Sequence, residues 1–230
     1  MKIRHAPLAV ACALMVAAVA TTTAQAAAVT YNFGGTIDDV NSSPSFVIGD
    51  TFTGSFTYET TTVDSNPDPG SGDYRAGLSI SVLINGNSFS SSSAASDCPA
   101  CGGIEVLEST PTRGFVDVIY VQTQFVGGGA FSPVIGPNVD GFAPHLIELG
   151  LVGPTTLYDN DLLPLSLDLS SFTVARINIG FSGQNFTQYA NGPITYLTLV
   201  STAPVPEAST AAMLALGLGA LAVVRRRKGC

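Results

Sequence analysis

Positive charge is nearly absent from the middle of this chain. Residues 27 to 203 hold three basic side chains, Arg75, Arg113 and Arg176, against sixteen of the seventeen acidic ones, so their net charge is near −13. The other six basic residues sit in the two ends, which is why the whole chain carries only −8. So acidic a surface excludes nucleic acid as a partner, because phosphate binding demands lysine and arginine. It favours solubility and attracts cations. Tryptophan is missing altogether, which weakens the case for a sugar platform of exposed rings and leaves Tyr74, Tyr120, Tyr158 and Tyr189 as its candidates. Histidine is almost missing too. The body keeps only His145, after Pro144 at the start of an expected strand, and no Gly-x-Ser-x-Gly elbow is present. A nucleophile beside a base therefore has little to be built from.

Acids are plentiful, so carboxylate chemistry is tested on spacing. Asp38-Asp39, Glu105 with Glu108, and Asp159 with Asp161 are available as acid pairs for a glycosidase. Nothing in their spacing singles out one pair. The loop Asp64-Ser-Asn-Pro-Asp68-Pro-Gly-Ser-Gly-Asp73 places three carboxylates and an amide in a flexible stretch, suited to a hard cation such as calcium. It lacks the EF-hand spacing. Asp159-Asn160-Asp161 is a second, shorter candidate. No cofactor is otherwise implied.

Cysteine is scarce and placed unevenly. Cys12 and Cys230 lie in the two ends, which leaves Cys98 and Cys101 in Asp97-Cys-Pro-Ala-Cys-Gly-Gly. In an oxidising compartment the pair reads as a local disulfide. A thioredoxin-type redox pair would need the first cysteine at a helix N-terminus. Here a serine-rich loop, Ser88 to Ser96, precedes it and a strand follows. Zinc would need ligands the body does not offer.

The ends carry a different message. Lys2 and Arg4 precede an apolar stretch from Ala6 to Ala20, and Ala24-Gln25-Ala26 follows. That order is an n-region, an h-region and a cleavage site, so residues 1–26 read as a signal peptide cut by signal peptidase near Ala26. At the other end, residues 204–230 contain Val205-Pro206-Glu207, an uncharged run from Ser209 to Val224, and Arg225-Arg226-Arg227-Lys228. As a helix the run spans roughly 24 Å, slightly short of a bilayer core of about 30 Å. Snorkelling basic stems or local thinning make up the difference. The basic cluster holds that end on the cytoplasmic side by the positive-inside bias, so everything before it lies outside the inner membrane.

These residues resemble the PEP-CTERM sorting signal of Gram-negative bacteria, in which a Pro-Glu motif, a transmembrane helix and an arginine-rich end are read by the membrane transpeptidase exosortase. Ala208 stands where the family most often has a second proline. The resemblance implies export, transient anchoring, cleavage near Pro206, and release to or attachment at the outer surface, often alongside exopolysaccharide.

Between the ends, residues 27–203 read as short strands with no amphipathic helix. Asp50 to Tyr58 alternates, with Phe52, Phe56 and Tyr58 on one face and four hydroxyl side chains on the other. Leu78, Ile80, Val82 and Ile84 repeat the pattern before Asn85-Gly86, a strong hairpin turn. Further strands are expected at 29–37, 103–108, 114–126, 145–152, 162–169, 172–181 and 193–201. A bulge near Arg176 would explain why the apolar face of 172–181 changes from Phe172 and Val174 to Ile177, Ile179 and Phe181. The prediction is an all-β antiparallel sandwich, jelly-roll or immunoglobulin-like. Tyr31-Asn32-Phe33 and Gly49 to Gly54 are similar to strands that open many PEP-CTERM proteins. The function read from all this is a non-enzymatic surface or matrix protein. A carbohydrate-binding module is the main alternative and a hydrolase the third.

Overall fold

Alternating burial decides the architecture, because each strand has one face that must leave water. The computed structural model describes residues 27–41, 45–68, 70–75, 77–93, 102–108, 116–123, 133–158, 160–183 and 186–204. Eleven strands occur among them: β1 Ala27–Thr36, β2 Asp39–Asn41, β3 Thr51–Glu59, β4 Ser71–Tyr74, β5 Leu78–Ile84, β6 Asn87–Ser93, β7 Gly103–Leu107, β8 Val116–Gln122, β9 Ala143–Pro154, β10 Val174–Gly183 and β11 Phe186–Pro204. One 3-10 turn, Leu169–Ser171, is capped by the Asp168 carboxylate, which accepts the Ser170 N–H. No α-helix occurs among the described residues. The expected signal peptide, the expected Cys98–Cys101 disulfide and the apolar run 209–224 lie outside them.

The predicted antiparallel all-β fold forms. Its strands follow one path, β4-β7-β8-β9-β10-β11-β1-β3-β5-β6, with β2 beside β11, and the sheet curls into a half-barrel. The curl brings opposite walls face to face, as in a sandwich. Phe89 of β6 meets Phe181 of β10 edge-on at 5.3 Å between centroids, and Phe46 packs on both rings. Tyr31, Phe33, Phe52, Phe56 and Tyr58 continue the aromatic core through β1 and β3. Ile104, Val106, Ile119, Val121, Ile147, Leu149, Leu151, Ile177 and Ile179 line the other wall. The β5–β6 turn is the expected one: Asn85 and Gly86 have φ of 48° and 76°, the left-handed pair of a type I′ hairpin.

The structure corrects several sequence expectations. Residues 162–169 form no strand. Pro164 cannot donate to a ladder, Leu162 and Leu165 are 63% and 72% exposed, and only Leu163 and Leu167 are buried among the leucines before the 3-10 turn. The segment instead crosses the core as a strap whose backbone is satisfied by tyrosines. Tyr74 donates its hydroxyl to the Asp161 carbonyl at 3.0 Å and accepts the Leu163 N–H. Tyr58 donates to the Pro164 carbonyl at 2.6 Å, and Tyr31 accepts the Leu167 N–H at 2.6 Å. The register of β10 against β9 runs unbroken through Arg176, and Val174 simply faces outward, so no bulge is needed there. The irregularity lies further on, where Gly180 pairs with Leu146 but Phe181 pairs with Pro144, leaving His145 as the extra residue. Residues 88–93 of the expected serine-rich loop belong to the edge strand β6, because Phe89 points into the core and fixes the alternation. Strands β2 and β4 and the first half of β11 carry too little apolar alternation to announce themselves.

Burial pushes the hydroxyls of Tyr31, Tyr58, Tyr74, Tyr120 and Tyr158 above their ordinary range, that of Tyr158 to about 12. A group whose pKa is higher folded than unfolded stabilises the fold below its unfolded value and loses that contribution as pH rises through the folded one. The tyrosine contribution to stability should therefore be constant below about pH 10 and be lost steeply from there toward 12. Absorbance titration of tyrosinate and circular dichroism should show ionisation and unfolding rising together. Ordinary tyrosine titration in a chain that stays folded would contradict this.

Candidate functional site

Outward-facing positions of β7 to β11 bring together a polar band that no sequence spacing displays. Gln122 lies opposite Glu148 across β8 and β9, Glu148 opposite Asn178, and Asn178 opposite Asn191. Asn191 lies opposite Asp39 of β2 and donates to its carboxylate at 3.4 Å. Gln122, which is fully buried, donates its side-chain amide to Glu105 at 3.1 Å. The Tyr120 ring lies beside Gly150, where an added Cβ would meet its Cε1 at an ordinary contact distance of 3.5 Å. Burial and the nearby charges of Glu148 and Glu105 raise the Tyr120 hydroxyl. Burial likewise raises the Glu148 carboxyl, opposed by a hydrogen bond from Asn178. Glu105 and Glu148, from different strands, thus both act on Tyr120, while the Glu108 N–H bonds the Gly70 carbonyl.

The other sequence candidates have structural partners. Asp38 holds Arg176 in a two-pronged ion pair, one contact at 2.9 Å, and Arg176 keeps the Asp38 carboxyl below its usual range. In the loop 64–73, Asp64 accepts the N–H groups of Asn66 and Asp73, and Asp68 accepts that of Gly70. Asp73 belongs to β4 and pairs with Arg75 at 2.7 Å. Among the described residues, no three His, Cys, Asp or Glu side chains are gathered in a way that could hold a metal. Asn160 caps the Leu162 N–H, Asp161 offers its carbonyl to Tyr74, and Asp159 lies outside the described residues. His145 sits in the β9 bulge against Gly180, its Nδ1 buried without a partner, and burial lowers its pKa against a hydrogen bond to the Gly180 backbone. Tyr74 is a buried strap clamp, while Tyr158 and Tyr189 are half-buried. Missed by sequence reasoning was Asp117, completely buried, whose carboxylate accepts the N–H groups of Leu157 and Tyr158 at 2.9 Å each.

The described fold ends at Pro204, where the sorting signal begins. Residues 204–228 match the family model of the PEP-CTERM protein-sorting motif. The chain carries a PEP-CTERM sorting motif. The match covers Val205-Pro206-Glu207, the apolar run and the basic cluster Arg225 to Lys228, all but Pro204 lying outside the described residues. Among the described residues no helix is long and apolar enough to cross a membrane. Compared with curated proteins and with solved structures, this PEP-CTERM protein matches none.

The polar band yields a stability test. An ionised Glu148 is held where burial disfavours its charge, so Glu148→Gln should raise the melting temperature at pH 7. The gain should shrink as the pH falls below about 4, where the wild-type carboxyl becomes protonated in both states. A variant less stable than wild type at pH 7 would show that the carboxylate is needed charged.

Proposed function

We propose that this is a non-enzymatic protein of the cell surface or extracellular matrix, held among exopolysaccharide. The observation that carries the reading is the PEP-CTERM motif at residues 204–228, which marks an exported protein processed by exosortase. Signal peptidase removes residues 1–26, and the run 209–224 halts in the inner membrane with Arg225 to Lys228 in the cytoplasm. Exosortase then cuts near Pro206 and frees the β domain. The chemistry of the body agrees with this route. Asp38, Asp64, Asp68, Asp73 and Asp117 each hold backbone N–H groups or an arginine, a use of carboxylates that builds a scaffold.

Removing residues 205–230 should leave the domain exported but no longer membrane-bound at any stage. Fractionation of periplasm, membrane and medium measures this directly. Unchanged membrane retention of the truncated chain would overturn the sorting role.

A further inference from the structure

The outer face of β1, β3, β5 and β6 has a composition unlike the rest of the domain. Strand register sets its outward residues in rows. One row is Asn32, Ser55, Ser81 and Ser90; the next is Thr30, Thr57, Ser79 and Ser92. A third runs through Gly34, Thr53, Leu83 and Ser88. No residue in the three rows is charged, within a domain whose net charge is near −13. Thr30 pairs with Thr57 at 2.9 Å and Ser55 with Ser81 at 3.1 Å, the usual service of such pairs to a sheet. Thr53, Ser79, Ser88 and Ser92 remain exposed, beyond what the sheet requires. Along each strand the outward positions repeat at about 6.7 Å, and across strands at about 4.8 Å, so the hydroxyls form a lattice.

A ring borders the lattice. Tyr196 of β11 lies over Gly34, where an added Cβ would fall 2.6 Å from its Cε1 and 2.7 Å from its Cζ. One side of the ring is thereby pressed on the backbone while 41% of the residue stays exposed. The ring and the hydroxyls share an open groove of about 480 Å³, lined by Asn32, Ser55, Ser81, Ser88, Tyr196 and Thr198 among others. A second groove of about 250 Å³, lined by serines of β5 and β6 and by Ile135, lies on the same strands.

We infer that this face binds a chain of uncharged polysaccharide, with Tyr196 as the ring on which a sugar stacks. The inference deepens the matrix reading above and rests on it. Each hydroxyl donates one hydrogen bond and accepts two, matching the alternation of donor and acceptor along a polyol. The C–H face of a pyranose is apolar and packs on an aromatic face. Charge selects among polymers. The acidic domain repels a polyanion, and the three rows offer a polycation no carboxylate, the one on the outer face of β3, Glu59, standing at the strand's end beyond them.

The test is co-sedimentation of the full-length chain, in detergent, with cellulose, chitin and curdlan as neutral polymers and with calcium-gelled alginate as the acidic one. Binding to at least one neutral polymer and none to alginate is expected. Tyr196→Ala and Ser88→Lys should each weaken that binding at least tenfold, while Tyr120→Ala on the opposite half leaves it unchanged. Melting curves confirm that the variants fold. Preference for alginate, no binding to any neutral polymer, or binding indifferent to both substitutions in folded protein overturns the inference. The same variants washed from the host's own matrix separate the two levels. Wild type that washes off sinks the matrix reading, whereas retention equal in wild type and Tyr196→Ala sinks only this face.

Discussion

A half-barrel made from one curled sheet leaves its core open along one side, and here three phenolic oxygens close it. Tyr31, Tyr58 and Tyr74 rise from β1, β3 and β4 through the apolar core and bond the backbone of residues 161–167. That strap has no strand neighbour, so without these hydroxyls its buried N–H and C=O groups would each cost about 1–3 kcal/mol. The same contacts bring Leu163 and Leu167 into the core as plugs. Asp117 fixes the start of the strap by holding the N–H groups of Leu157 and Tyr158. The strap thereby completes a core whose walls the alternation along each strand supplies.

Much of the fold was legible in the sequence because alternation reports burial. β5 ends as predicted, and Asn85-Gly86 makes the turn its side chains allow. The strap was misread because five leucines in eight residues imitate a strand, and only tertiary partners reveal that tyrosine hydroxyls replace its ladder. The edge strand β6 was hidden by its serines, since Phe89 is its one buried large apolar residue. Candidate sites were less legible. Glu105 and Glu148 are brought to act on Tyr120 by register between distant segments, which no spacing encodes. The hydroxyl rows were half visible: the polar face of 50–58 could be read, but not its continuation across β1, β5 and β6.

Charge divides the molecule by task. Basic residues concentrate in the ends and acids concentrate in the body. Within the body, several acids hold backbone N–H groups or an arginine, and the three hydroxyl rows carry no charge. The sorting motif begins at Pro204, where β11 closes.

The central claim is that the tail is a disposable address. Its most direct test is mass spectrometry of the intact protein recovered from outside the cell. The account predicts a product beginning near residue 27 and ending near Pro206, without the run 209–224 or the cluster Arg225 to Lys228. An exported protein that still ends at Cys230 would contradict it.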